Sequence, residues 1–432
     1  MLKSSKKGAF ILISLILSLI LVSTIFKHFT KEKFTVESLS GDQKYFDDIN
    51  LIYSNNLEYL QGLINSKTPE NKNIRIKNSI LISGKKNSDL NNISIEDNKF
   101  VFSSKDKDKY KYNVNYYNVS VFNDVYKSYI LYNDTLKGER RKLLIKDNGL
   151  LNKFKDYNYQ DYSLLEYKGE KYIIGYFMDD NMQENPPSKL TLEMLSLKLS
   201  KKGNSYSEFG SKSFTINNVS KKEEDGKSYS VEKYSKAFQI DGKSFLAFKI
   251  GDTIDVYSYS PEENTFEKVR NVEKDLFPAL EYDDSFFVNY ENKLYYIYLK
   301  GNIQYIREIE YKNNSLSSSV TSETGIKRSS ADSKLSEMNF DKNGNKVSKD
   351  KNYDYGFWLQ SPASRFFVKD NKVIFIAENS LMISNPRSYN MNPIFKVSIL
   401  DLDKKKEIYR GIIRANFNAN ISAMYISDKI SK

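Results

Sequence analysis

Cysteine is absent from these 432 residues. That removes disulfides, thiolate zinc sites, Fe–S clusters and cysteine nucleophiles from the chemistry available. Histidine occurs once, as His28, so no Ser-His-Asp triad, HExxH site or His-rich metal centre can form in the body of the chain. Proline (8) and glycine (18) are scarce, and no Gly-rich phosphate loop is present. What the chain has in quantity is tyrosine (33) and phenylalanine (26). Aromatic rings fit a pleated, half-buried surface, so the balance leans towards strands; an AT-rich genome would raise the same residues. Apolar content of 40% is ordinary for a globular chain.

The net charge of +11 suggests nucleic acid until it is located. Lys3, Lys6, Lys7, Lys27, Lys31 and Lys33 stand against Glu32 alone, a net +5 within residues 1–33. The rest sets 60 basic against 54 acidic residues without a dense basic run. This reads as a solvated surface with mild affinity for anionic wall polymers or lipid head groups, not as a nucleic-acid binder.

Gly8 to Phe26, GAFILISLILSLILVSTIF, is 19 residues without a charge. As a helix it spans about 28 Å, close to the hydrocarbon core of a bilayer. The run is longer than a signal-peptide core, and Val22-Ser23-Thr24 followed by Ile25 and Phe26 makes a poor cleavage site. The expectation is an uncleaved single-pass anchor in the cell membrane. Residues 1–7 then form a cytoplasmic tail, 8–26 the transmembrane helix, 27–40 a polar stalk and 41–432 an extracytoplasmic β-rich domain. Lysines flank both ends of the run, so the positive-inside rule gives only a slight N-inside bias.

Beyond the stalk a pattern recurs: strand, two-residue turn, strand. The copies are ISIEDNKFVF (93–102), LLEYKGEKYIIGYF (164–177), AFQIDGKSFLAF (237–248), FFVNYENKLYYIYL (286–299) and RFFVKDNKVIFIA (365–377). Their turns carry Asn, Gly or Asp, residues that tolerate positive φ. A second strand pair follows several copies, at 194–209, 253–272 and 395–411, and Ala237 to Val272 is the clearest four-stranded unit. Leu190–Leu199 alternates in two phases broken at Met194-Leu195, which suggests a bulged strand. Asp47–Ile64 and Arg141–Phe154 are the remaining helix candidates. The residues 178–189 and a Ser-, Lys- and Asn-rich stretch near 313–352 lack apolar periodicity, and the latter reads as a mobile insertion.

Repeated four-stranded units resemble the blades of β-propeller proteins, at the level of architecture and over about residues 36–432. No WD, kelch or Asp-box signature accompanies them. The fold class expected is all-β, propeller-like, with a large β-sandwich or two β domains as alternatives.

Candidate chemistry is thin. Asp179-Asp180 and Asp283-Asp284 are adjacent acids, but neighbours on a strand point to opposite faces and make no obvious dyad. Asp341-Lys342-Asn343-Gly344-Asn345 lacks the glycine and glutamate positions of an EF-hand, since Asn352 stands twelfth. His28 reads as an interfacial residue. Tyr353, Tyr355, Phe357 and Trp358 alternate at the mouth of the insertion, where rings would stack on sugar or grip a peptide, or simply anchor a blade. No catalytic residue, metal site or cofactor is assigned. The expectation is a non-enzymatic binding or sensory accessory protein beside a membrane partner, a layout that resembles bacterial accessory regulators of sensor kinases. A wall- or glycan-binding scaffold and a carboxylate glycan hydrolase are the alternatives.

Overall fold

A computed structural model describes residues 14, 16–18, 34–47, 49–54, 73–83, 86–96, 99–104, 109–112, 120–124, 127–134, 139–145, 159–179, 189–199, 206–217, 222–224, 227–229, 233–250, 253–280, 285–301, 303–327, 365–378, 394–415 and 424–430. In chain order the elements are β1 (Phe34–Gly41), the one-turn helix α1 (Lys44–Asp47), β2 (Asn50–Ser54), β3 (Asn73–Ser83), β4 (Lys86–Glu96), β5 (Lys99–Ser104) and β6 (Lys109–Tyr112). There follow β7 (Ser120–Asp124), β8 (Lys127–Asp134), β9 (Glu139–Ile145), β10 (Tyr159–Tyr167), β11 (Glu170–Asp179), β12 (Lys189–Leu199) and β13 (Tyr206–Asn217). A small hairpin, β14 (Lys222–Glu224) and β15 (Lys227–Tyr229), precedes β16 (Lys233–Ile240), β17 (Lys243–Ile250), β18 (Thr253–Ser260), β19 (Thr265–Lys268) and β20 (Asn271–Val272). The last group is β21 (Ser285–Tyr290), β22 (Lys293–Lys300), β23 (Ile303–Lys312), β24 (Ser315–Lys327), β25 (Arg365–Lys369), β26 (Lys372–Glu378), β27 (Ile394–Asp401), β28 (Lys406–Ala415) and β29 (Met424–Ile430).

The described structure is therefore all-β, built of antiparallel sheets of mostly consecutive strands, an arrangement compatible with either a propeller or a sandwich. Sheet I, β2–β29–β6–β5–β4–β3, closes on itself; sheet II is β7–β8–β9. Sheet III is β10–β11–β12–β13 and sheet IV is β16–β17–β18–β19, each four-stranded. Sheet V runs β21–β22–β23–β24 with β20 added in parallel, and sheet VI runs β25–β26–β27–β28 with β1 added at its far edge.

All five expected hairpins form, between β4 and β5, β10 and β11, β16 and β17, β21 and β22, and β25 and β26. Their turns need left-handed backbone. Lys168 and Gly169 stand at φ 50° and 77°, Asp241 and Gly242 at 49° and 73°, and Glu291 and Asn292 at 47° and 61°. With both central residues at positive φ, the turn's twist matches that of the strands it joins.

Successive sheets stack face to face. Sheet III meets IV through Ile174, Tyr176 and Met194 against Leu246, Phe248 and Tyr259. Sheet IV meets V through Phe238, Phe245 and Val256 against Leu294 and Tyr296, with Leu276 and Phe277 of the β20–β21 crossover between them. Sheet V meets VI through Tyr295, Ile297 and Ile306 against Val373, Phe375 and Leu400. Sheet VI meets I through Ile374, Val397 and Ile399 against Leu51, Tyr53 and Ile82, with Phe34 of β1 and Phe46 of α1 in the same cluster. A strand covered on both faces needs apolar residues in both phases. In β22 Tyr296 and Tyr298 go to one interface and Tyr295 and Ile297 to the other, hence the unbroken run LYYIYL.

Several expectations are corrected. The segment 27–40 is not wholly a stalk: from Phe34 it is β1, paired with β28 from Phe34–Ala415 to Gly41–Tyr409. Residues 50–54 and 139–145 are strands, not parts of helices. Within 313–352, Ser315–Lys327 is strand β24, joined to β23 by a turn at Asn313 and Asn314; residues 328–352 lie outside the described residues. No register shift occurs at Met194-Leu195; it falls between Ser196 and Leu197, opposite Phe209 of β13. The two phases of 190–199 arise because Leu192, Met194, Leu195 and Leu197 are all buried, on both faces of a central strand.

Among the described residues no helix is long and apolar enough to cross a membrane. The run 8–26 lies mostly outside them. Ser14 and residues 16–18 are helical, with the Ser18 hydroxyl donating to the Ser14 carbonyl at 2.9 Å and with Ile16 and Leu17 exposed.

Candidate functional site

The first strands of sheets III to VI approach one another along a seam. β16 lies beside β10 on one side and beside β21 on the other. Between sheets III and IV the seam is polar: Ser163, Tyr176 and Ser244 share hydroxyl hydrogen bonds of 3.0 to 3.3 Å, and the Gln239 amide donates to the Leu164 carbonyl. Across sheets IV and V, Lys236 donates to the carbonyl and hydroxyl of Ser285, which itself donates to the Ala279 carbonyl at 2.9 Å. The rest of the seam between sheets IV, V and VI is aromatic. Phe238 lies 4.5 Å from Phe287, and Phe286 stacks at 4.0 Å on Phe366. These groups satisfy one another, which is what a buried interface requires.

The hairpin turns of sheets III to VI gather at one end of the stack, tied by charge. Lys168 meets Glu262 at 2.8 Å across sheets III and IV. Lys243, following the β16–β17 turn, lies over the Tyr311 ring of sheet V at 5.7 Å. Glu308 of β23 sits between two lysines, Lys293 and Lys405, each at 3.1 Å. Its side chain is 12% exposed and that of Lys405 17%, so this pair joins sheets V and VI where solvent screens it less than an exposed pair. Burial pushes the Glu308 carboxyl up, but hydrogen bonds and charge from Lys405 and Lys293 outweigh it and hold the pKa below the ordinary glutamate range.

Four described carboxyls have a definite titration direction. Asp42, Glu262, Glu308 and Glu310 all shift downward, through neighbouring lysines, whereas a carboxyl acting as general acid is tuned upward. Burial, helped by Glu170, pushes Tyr172 up to about 12, and burial also raises Tyr259 to about 12, so these phenols keep their protons. Among the described residues no group of three or more His, Asp or Glu is placed to hold a metal ion.

Tyr353, Tyr355, Phe357 and Trp358 lie outside the described residues, as do His28, Asp180, Asp283-Asp284 and 341–345. Asp179 ends β11, its backbone paired with Thr191. The groups that sequence reasoning missed are Glu308 and Lys405. The signal for Glu308 lay in β23, where it shares the inward phase of Gln304 and Ile306, both fully buried.

No family model matches the chain, and no curated protein matches it. Solved structures similar to it include the major allergen Mala s 1 of Malassezia sympodialis, at 11% identity and TM-score 0.29, covering 74% of this chain and 89% of that one. A GH43_1 enzyme from Xanthomonas citri complexed with xylose has 10% identity and TM-score 0.27, covering 60% and 86%. A candidate 6-phosphogluconolactonase from Bacteroides fragilis has 10% identity and TM-score 0.33, covering 88% and 98%. At scores this low none of the three bears on what this chain does or binds.

Proposed function

We propose that this is a single-pass membrane protein whose β-rich part lies outside the cytoplasm and serves as a non-enzymatic binding or sensory accessory domain for a membrane-resident partner. The domain is a six-sheet propeller. Sheets III, IV, V, VI and then I stack in succession, with IV, V and VI covered on both faces, and in this reading sheet II takes the remaining place between I and III. β1 closes the ring by pairing with the last strand of sheet VI. Sheet I departs from an open blade by closing on itself through β29. The address is supported by the uncharged run 8–26, and the non-enzymatic reading by acids held ionised by lysines.

The observation that carries the proposal is that only seven residues separate the 19-residue apolar run from β1, the strand that pairs with the last strand of sheet VI. Cell fractionation tests it. The intact protein is expected in the membrane fraction, and protease added to whole cells should remove its β-rich part. A shortened soluble form, or a bulk protected inside the cell, would sink the proposal.

A further inference from the structure

We infer that the domain turns a defined end towards the bilayer: the end opposite the hairpin turns, from which the inter-sheet connections leave. This rests on the reading of 8–26 as a membrane span. β28 begins just after the turn at residues 402–405 and runs away from it to Ala415. β1 is antiparallel to β28, with Phe34 opposite Ala415 and Gly41 opposite Tyr409. The chain therefore enters the domain at the end remote from the turns.

The other described interfaces keep the same polarity. Lys168 and Glu262 join turn to turn across sheets III and IV, Lys243 lies over Tyr311 beside the turn of sheet V, and Lys405 reaches Glu308 and so the turn side of sheet V from sheet VI. At the opposite end lie the strand ends Asp179, Ile250, Lys300, Lys327 and Glu378.

Lengths decide the orientation. Seven residues, 27–33, separate the apolar run from β1, and fully extended they reach about 25 Å. β1 and β28 are eight and ten residues long, so the sheet is about 25–30 Å from end to end. To turn the hairpins towards the membrane the tether would run back along the whole sheet and have nothing left to leave the bilayer. With the remote end down it needs only a few ångströms, and the basic composition of 27–33, with Lys27, Lys31 and Lys33, suits a tether next to lipid phosphates. The surface from which the inter-sheet connections issue thus faces lipid head groups.

The absence of cysteine makes the test clean, because any introduced thiol is the only one. Thr253→Cys and Lys300→Cys mark exposed positions at the remote end; Thr265→Cys and Lys404→Cys mark exposed positions at the turns. Each full-length variant carries a donor dye and is reconstituted in phosphatidylcholine vesicles doped with an acceptor lipid. The expected result is flotation of all four, with energy transfer at least about twofold greater from positions 253 and 300, given the sheet length that separates the ends. Flotation with equal or reversed transfer overturns the orientation alone. Failure to float overturns the span itself and the orientation with it.

Discussion

Glu308 shows how one residue links two sheets. It is flanked by lysines at 3.1 Å from its own sheet and from the next, with little exposure. Removing one partner of such a group leaves a charge without compensation. Lys405→Met is expected to lower unfolding stability by about 1–3 kcal/mol, read from urea titrations. The pH dependence has a definite sign. The folded-state pKa of Glu308 is depressed, so its contribution is complete above the unfolded value of about 4.3 and is lost as pH falls through the lower folded value. The stability gap between wild type and Glu308→Gln should therefore be constant from neutral pH to about pH 5 and close below about pH 4. A gap that widens on acidification would contradict the assigned ion pairs.

At the scale of the element, β1 is the informative strand. Its sequence, FTVESLSG, offers Phe34 and Val36 to the core and little else. Its partner residues, from Ala415 to Tyr409, lie about 370 to 380 positions away, so nothing local announced the pairing and the segment read as a stalk. β24 escaped for a related reason: apart from its start, where β20 pairs with it, it has β23 alone as a partner, and backbone pairing with β23, more than side-chain burial, defines the element. The hairpins, by contrast, were legible because turn chemistry and alternation are local signals. Two glycines separate these influences. Gly41 has φ 80°, and a Cβ there would strike the Ile408 carbonyl oxygen. Gly169 has φ 77° in a turn with nothing near its missing side chain. Gly169→Ala is expected to cost about 1 kcal/mol for the backbone alone, whereas Gly41→Ala should cost at least about 2 kcal/mol because β28 must also move. Thermal denaturation of both variants measures the difference; equal losses would mean that β1 does not lie against β28 as described.

At the scale of the molecule, most sheets among the described residues are made of consecutive strands; the exceptions are the short β20, which pairs with β24, and the first and last described strands. β1 completes sheet VI and β29 sits between β2 and β6 in sheet I. Ending the chain before Met424 opens sheet I along two edges at once, leaving backbone donors and acceptors to water. The midpoint of thermal unfolding is expected to fall by more than about 2 °C, with faster proteolysis of the N-terminal strands. An unchanged midpoint would show that sheet I is complete without β29.

Composition and local pattern alone determined that the chain is strand-rich, where its hairpins turn, that cysteine and multi-histidine chemistry are excluded, and that residues 8–26 are long and apolar enough to span a bilayer. Those properties depend on residue type, short spacing or the period of a strand, all of which the linear chain displays. The tertiary structure decided the successive stacking of sheets III, IV, V, VI and I, the return of β1 and β29 to distant partners, and the Glu308–Lys405 link. Each of these joins residues far apart in sequence, and only folding brings such groups within hydrogen-bond or van der Waals reach.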